Sequence, residues 1–79
     1  MNNDKLISAF SEALGVNKEK INDEYSYGDQ GWDSVAHMVL IAAIEEAFDI
    51  MIDTDDVIDM SSFAKAKTII TKYGIDFNA

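Results

Sequence analysis

The segment from Gly31 to Met38, with the sequence GWDSVAHM, holds the residues that could carry chemistry. Ser34 stands there where a long polar segment gives way to a helical pattern. A hydroxyl in the first turn of a helix is exposed and lies near backbone N–H groups that favour a phosphate ester. The position therefore suits covalent attachment of a phosphate-linked group, although physics alone favours ordinary capping by the Asp33-Ser34 pair.

His37 is the only histidine and lies one helical turn after Ser34. A hydroxyl and an imidazole at this spacing could form a nucleophile and its base, but no third group is indicated that would orient the base. The sequence around Ser34 also differs from Gly-x-Ser-x-Gly, because positions 32 and 36 are Trp and Ala. A hydrolase is therefore not favoured. We predict that His37 is hydrogen-bonded and partly buried on the core side of its helix.

Asp53, Asp55 and Asp59 have a spacing similar to that of a calcium-binding loop. Such a loop has glycine at its sixth position and glutamate at its twelfth, where this chain has Ile58 and Ala64. We therefore predict no specific metal site, only weak and nonspecific cation binding. A small acidic calcium sensor is an alternative, and it predicts helicity that depends on calcium.

The chain has 79 residues and a formal net charge of −9, from 15 acidic and 6 basic residues. This length suits one small domain, and a hydrophobic fraction of 48% is too high for a disordered chain. The charge repels nucleic acid and anionic membranes and attracts basic protein surfaces. Residues 21–64 contain no lysine or arginine, and their acids are Asp23, Glu24, Asp29, Asp33, Glu45, Glu46, Asp49, Asp53, Asp55, Asp56 and Asp59. We expect this one-sign surface to serve a partner.

The composition also bears on the compartment. With no cysteine, the chain forms no disulfide, thiolate metal site or catalytic thiol. No signal-peptide pattern is visible, and no apolar run approaches the ~20 residues that span a bilayer. We expect a soluble cytoplasmic protein.

Hydrophobic periodicity predicts two long helices in the first two thirds of the chain. The first runs from about Asn3 to Leu14 and ends at Gly15. The second starts at Asp33-Ser34, with Asp33 as its N-cap, and runs to about Phe48. Its core face is predicted to comprise His37, Leu40, Ile41, Ile44 and Phe48.

Residues 16–33 show no sustained period, which predicts a long loop, and loops of this length are often functional. We expect four apolar side chains to anchor it to the core: Val16, Ile21, Tyr25 and Tyr27. Trp32 is predicted to pack the end of the loop against the bundle.

A short helix is predicted over about Asp53 to Asp59, with Val57, Ile58 and Met60 facing inward. Ser61 or Ser62 would cap a last helix, which would continue to about Tyr73 and be followed by Gly74. The predicted fold is therefore all-α: a small four-helix bundle of three main helices and one short helix.

The chain resembles the acyl carrier protein family from about Leu6 to Tyr73. The resemblance includes Leu14-Gly15-Val16 at the end of the first helix and the anchor Ile21. It also includes Asp33-Ser34 before a hydrophobic residue, where the family has Asp-Ser-Leu, and the run from Ile44 to Ile52 before an acidic short helix. This resemblance implies an acyl-carrier-protein-like bundle, with residues 1–79 forming a single acyl carrier domain.

By this resemblance, Ser34 carries 4'-phosphopantetheine, which a separate phosphopantetheinyl transferase takes from coenzyme A. Asp33 matches the aspartate of the motif, and its implied roles are to cap the helix and contact the transferase. The arm would hold an acyl or aminoacyl group as a thioester and present it to acyl-processing enzymes, as in fatty acid biosynthesis. The chain itself would catalyse nothing.

The chain departs from the family pattern on the outward face of the second helix. Val35 replaces the usual leucine, and the face near Ser34 lacks the acids common in fatty-acid carriers. The predicted partner-binding residues are Val35, Met38, Val39, Ala42, Glu45 and Glu46, and Ala43 is also expected to point outward. An apolar face indicates docking by packing more than by salt bridges. We expect a monomeric, specialised carrier, loaded by a dedicated ligase or acyltransferase. The alternative is an unmodified acidic helical protein-interaction domain.

Overall fold

The computed structural model describes residues 2–77. Four α-helices and one 3₁₀ turn make up its regular structure: α1 Asn2–Leu14, the 3₁₀ turn Lys18–Lys20, α2 Ser34–Phe48, α3 Thr54–Asp59 and α4 Phe63–Thr71. These residues form no strand, and the predicted all-α bundle of three main helices and one short helix is confirmed. The domain predicted over residues 1–79 also includes residue 1 and residues 78–79, which lie outside the described residues.

Helix α1 packs its apolar stripe into the centre of the bundle. Leu6 and Phe10 have no exposed surface, and Leu14 is buried at the end of the helix. The chain then turns at Gly15, whose φ of +68° lies in the left-handed region that favours glycine. The predicted first helix is confirmed.

Helix α2 begins at Ser34 because Asp33 caps it. An Oδ1 atom of Asp33 accepts a hydrogen bond of 2.8 Å from the backbone N–H of Ala36, which satisfies one of the free donors at a helix start. The buried side of α2 consists of Leu40, Ile41, Ile44 and Phe48. The predicted start, end and core face are confirmed, with His37 half-buried at the margin of that face.

The loop between α1 and α2 is attached to the core by Val16, Ile21 and Tyr25, all of which are buried. The prediction was wrong for Tyr27, whose side chain is 49% exposed. A backbone hydrogen bond of 2.9 Å from Tyr27 N–H to the Ser61 carbonyl holds Tyr27 at the protein surface, beside the start of α4.

Trp32 packs inside the bundle, as predicted, and is only 1% exposed. Its ring meets the edge of Phe10 at 5.3 Å and stacks on Tyr25 at 5.4 Å. The loop therefore supplies a large part of the hydrophobic core, and it ends in a fixed position directly before Ser34.

Helix α3 shows the second departure from the sequence prediction. Ile58 was expected to face inward, but its side chain is 75% exposed, whereas Met60 is buried and Val57 is half-buried. The inward position is taken by Asp56, whose carboxylate accepts hydrogen bonds from Lys72 Nζ at 2.7 Å and Tyr73 Oη at 2.6 Å. This ionic contact ties α3 to the end of α4 and turns Ile58 outward.

Helix α4 is capped by Ser62, whose hydroxyl accepts from the N–H of Lys65 at 3.0 Å. The helix ends at Thr71, slightly before the predicted end at Tyr73. The chain continues in tighter turns, with Tyr73 N–H bonded to the Ile70 carbonyl at 2.9 Å, and reaches Gly74 with a φ of +92°. The predicted and observed ends of α4 therefore differ only in whether the last residues form an α-helical turn or a tighter one.

Candidate functional site

Ser34 is the first residue of α2, and its side chain is exposed. Within residues 2–77 its hydroxyl makes no hydrogen bond, so it is open to a reacting partner. The hydrogen bond from the Ala36 N–H to the Asp33 carboxylate fixes the first turn of α2, which includes Ser34. The backbone N–H groups of this turn give the site a positive partial charge, which suits a phosphate ester at Ser34.

His37 is held by hydrogen bonds on both of its ring nitrogens. The indole N–H of Trp32 can only donate, so at 2.9 Å the Nδ1 atom of His37 must be the acceptor. The neutral ring then carries its proton on Nε2, which lies 2.8 Å from the Val57 carbonyl oxygen and donates to it. The prediction of a hydrogen-bonded, partly buried histidine is confirmed. Neither nitrogen is available to act as a base for Ser34.

A cavity of about 390 Å³ lies beside Ser34, and we call it the Ser34 cavity. Its walls come from the loop, α2, α3 and the segment before α4: Tyr27, Ser34, His37, Met38, Val57, Ile58, Met60 and Ser61. Most of this lining is apolar, and the few polar groups include the Ser34 and Ser61 hydroxyls. The cavity can accept a flexible chain attached at Ser34 and is suited to its apolar parts.

Five of these wall residues were not predicted to belong to a site. Four of them, Tyr27, Val57, Ile58 and Met60, were predicted to face the core, and Ser61 was predicted only as a helix cap. No local sequence pattern predicts that these residues line one cavity. Their arrangement depends on the backbone hydrogen bond between Tyr27 and Ser61 and on the contact between Asp56 and Lys72.

The outward side of α2 near Ser34 is apolar and open to solvent, as predicted. Val35 is 75% exposed, Met38 60% and Val39 51%, and Ala42 is also exposed. The expectation for Ala43 was wrong, because its side chain packs partly against the core. Of these exposed apolar side chains, Met38 lines the Ser34 cavity together with Ile58 of α3, which is also exposed.

Glu45 and Glu46 lie near the far end of α2 and differ in their surroundings. An Oε2 atom of Glu45 accepts a hydrogen bond of 2.9 Å from the Ile52 N–H, so this carboxylate helps to fix the turn before α3. Glu46 is exposed and lies in a groove with Lys5 and Glu12 of α1.

The acids of α3 do not converge on one point. Asp56 points inward, and the hydrogen bonds from Lys72 and then Tyr73 hold the pKa of its carboxyl below the ordinary value. The same contact with Asp56 raises the pKa of Lys72. Among residues 2–77, no three acidic or histidine side chains come close enough to bind one metal ion.

Comparison with known proteins defines the class to which this geometry belongs. The family described as "Phosphopantetheine attachment site" matches residues 4–68, a span that includes Ser34. An acyl carrier protein from Cyanidium caldarium is 38% identical over 77 residues, which cover 95% of this chain and 90% of that protein. An acyl carrier protein from Guillardia theta is 34% identical over 70 residues, which cover 87% of this chain and 86% of that protein.

The chain therefore belongs to the acyl carrier protein family, whose members carry a covalently attached 4'-phosphopantetheine group. Its role is to carry acyl groups, and members of the family work with phosphopantetheinyl transferases and acyl-processing enzymes. When bound, this group supplies the terminal thiol that holds an acyl group as a thioester. The residues fit it: an exposed hydroxyl, a helix start and an apolar cavity lie side by side.

No helix among residues 2–77 is long and apolar enough to cross a membrane.

Proposed function

We propose that Ser34 is the residue to which 4'-phosphopantetheine is attached. The observation that carries this proposal is the position of Ser34: an exposed serine at the start of α2, inside the family match and on the wall of the Ser34 cavity. The Ser34 Oγ would attack the phosphorus of coenzyme A that bears the pantetheine. A new O–P bond forms, the bond to adenosine 3',5'-bisphosphate breaks, and the hydroxyl proton passes to a base of the transferase.

Asp33 has two roles in this proposal. Its capping hydrogen bond to Ala36 fixes the first turn of α2 and therefore the direction of the Ser34 side chain. Because Asp33 is itself exposed beside Ser34, it also provides a contact for the transferase. His37 supplies no base, since both of its nitrogens are used by Trp32 and Val57. The protein then catalyses nothing itself, and its partners provide the chemistry.

Ser34→Ala tests the attachment directly, and the chain offers a matched control. Ser61 is also exposed and lines the same cavity, but it precedes α4 instead of starting α2. We expect a broad-specificity phosphopantetheinyl transferase and coenzyme A to load the wild-type protein and Ser61→Ala, and to leave Ser34→Ala unchanged, as judged by intact mass. Loading of Ser34→Ala, or its loss in Ser61→Ala alone, would refute the assignment.

We further propose that partner enzymes dock on the outward side of α2. The proposed partner surface comprises Val35, Met38, Val39, Ala42, Glu45 and Glu46. Large exposed apolar side chains beside the attachment site favour docking by packing, and the acids at the far end add electrostatic attraction to basic partners. This composition supports a specialised carrier outside primary fatty-acid synthesis, loaded by a dedicated ligase or acyltransferase.

The contribution of packing can be measured against that of charge. Met38→Ala with Val39→Ala should lower kcat/KM for transfer of the arm to Ser34 by about tenfold, or about 1.4 kcal/mol, because apolar contacts near the centre of an interface carry most of its energy. Glu46→Lys should change kcat/KM by less than about threefold at physiological salt, since rim charges contribute little. A larger loss in Glu46→Lys than in the double alanine variant would show that charge dominates.

The exposed apolar surface also supports a second candidate, an unmodified domain that only binds other proteins. Partner binding that survives in Ser34→Ala, without any loading of the wild-type protein, would favour it.

A monomeric state, a cytoplasmic location and a single domain over residues 1–79 belong to the carrier proposal as well. Sedimentation of the purified chain tests the first of these.

A further inference from the structure

From the position of His37 between the Ser34 cavity and the core, we propose that this residue closes the cavity inward and keeps the cargo of the arm at the protein surface. The proposal rests on the proposed attachment at Ser34. It makes His37 a positioning residue that determines which acyl groups this carrier presents.

His37 is one of the residues that line the cavity, and it separates the cavity from the Trp32 ring. One side of His37 faces the space beside Ser34. The Trp32 ring, only 1% exposed, lies behind the imidazole at 6.0 Å and nearly parallel to it, with 18° between the two planes. Trp32 in turn contacts Phe10 at the centre of the core. The His37 side chain therefore stands between the cavity and the buried aromatic cluster.

The two hydrogen bonds of His37 hold this wall in place. One joins the ring to Trp32 at the end of the loop, and the other joins it to Val57 on α3. A chain that passed from the cavity into this aromatic cluster at the position of His37 would have to displace the imidazole and break both bonds. The indole N–H of Trp32 and the Val57 carbonyl would then be unpaired in an apolar interior, which opposes opening.

This closed wall indicates the class of cargo. A long alkyl chain has more apolar surface than the open Ser34 cavity covers, and His37 denies it the closed core. A short, hydroxylated or aminoacyl group has little apolar surface to bury and loses nothing at an open cavity. The carrier is therefore suited to short or polar acyl groups, whose thioesters stay accessible to the next enzyme.

The test compares two thioesters on three proteins. Acetyl and octanoyl forms of the wild-type protein, His37→Leu and His37→Gln are prepared with the transferase and the corresponding acyl-coenzyme A, and loading is confirmed by mass. Hydroxylamine then attacks each thioester carbonyl and releases the thiol. Leucine has an apolar side chain without hydrogen bonds, whereas glutamine offers an acceptor and a donor that can restore both bonds.

We expect hydroxylamine to cleave the acetyl and octanoyl forms of the wild-type protein and of His37→Gln at similar rates. In His37→Leu the octanoyl form should be cleaved about tenfold more slowly than the acetyl form, because the chain gains access to the core. Equal rates in His37→Leu, or slow cleavage of the octanoyl form in the wild-type protein, would overturn the proposal. Slow cleavage of the wild-type octanoyl form would overturn the proposal even if His37→Leu does not fold.

The experiments distinguish an error in the proposed attachment at Ser34 from an error in the proposed closing role of His37. If the wild-type protein gains no mass, Ser34 is not the attachment site, and the closing role of His37 is judged on the unloaded protein. There, hydrogen exchange at the Trp32 indole N–H should be slow in the wild-type protein and in His37→Gln, and about tenfold faster in His37→Leu. Unchanged exchange in His37→Leu would refute the closing role.

Discussion

At the scale of single residues, hydrogen bonding separates two side chains that are neighbours on one helix. Ser34 is exposed and has no partner for its hydroxyl within the described residues, so it is open to an incoming group. His37, one turn later, uses both ring nitrogens to join Trp32 to Val57. The first residue is therefore fitted for modification and the second for holding the structure around it.

Gly31 lies at a position where the backbone requires glycine. Its φ is +81°, and a Cβ atom there would lie 2.6 Å from the Leu14 carbonyl oxygen and 2.9 Å from Val16 Cγ1. Gly31→Ala should therefore lower the free energy of unfolding by roughly 2–3 kcal/mol, from backbone strain together with the clash. Urea denaturation measures this loss.

Gly28 is the matched control for this prediction. Its φ of +97° is also positive, but a Cβ there would meet nothing within 4 Å. Gly28→Ala should cost only the strain, about 1 kcal/mol. Equal losses in the two variants would show that the contact with Leu14 does not restrict Gly31.

At the scale of elements, the short helix α3 is positioned by polar contacts with two different parts of the fold. Asp56 connects it to Lys72 and Tyr73 after α4, and Val57 connects it to His37 on α2. Helices of this length are marginal by themselves, so their tertiary contacts determine where they lie. The outer wall of the Ser34 cavity therefore depends on these few bonds.

The Asp56 contact predicts a specific dependence of stability on pH. The hydrogen bonds from Lys72 and Tyr73 lower the pKa of Asp56 in the folded state. Its contribution to stability is therefore complete above the unfolded pKa of about 3.9 and is lost as the pH falls through the lower, folded value. Asp56→Asn should lower the Tm at neutral pH, and its difference from the wild-type protein should shrink at acidic pH.

Thermal unfolding followed by circular dichroism measures this effect, with Asp55→Asn as the control. Asp55 is an exposed neighbour on the same helix, with the same charge. Its substitution should leave both the Tm and its pH dependence nearly unchanged. A difference between Asp56→Asn and the wild-type protein that stays constant down to the most acidic pH would contradict the account.

The three longer helices were predictable because α1 and α4 each have one apolar side, α2 is apolar over most of its length, and each has a recognisable cap or terminal glycine. Asp33, Ser62 and Gly15 mark such boundaries. The inward face of α3 was not predictable, because a buried aspartate there depends on Lys72 and Tyr73, which are 16 and 17 residues away in the sequence. The position of Ser34 at the start of α2 could be predicted, and its role as the attachment site stays a prediction. The cavity beside it was not predictable, because it depends on the long-range contacts of Tyr27 and His37.

At the scale of the whole molecule, the charges are segregated along the chain, and Ser34 lies in the stretch that has acidic but no basic residues. The net charge is −9, and all six basic residues lie outside residues 21–64. Two lysines are partly engaged within the fold, Lys67 with Asp23 at 2.6 Å and Lys72 with Asp56 at 2.7 Å. A net negative charge of this size favours fast encounters with proteins that present basic surfaces.

The central claim is that this acyl carrier holds its arm on Ser34. The most direct measurement incubates the purified protein with coenzyme A and a phosphopantetheinyl transferase, records the intact mass and then locates the added group by fragmentation. The account predicts a gain of one phosphopantetheine group, found only on the peptide that contains Ser34. A group located on any other residue, or no gain while a known carrier is loaded in the same reaction, would contradict it.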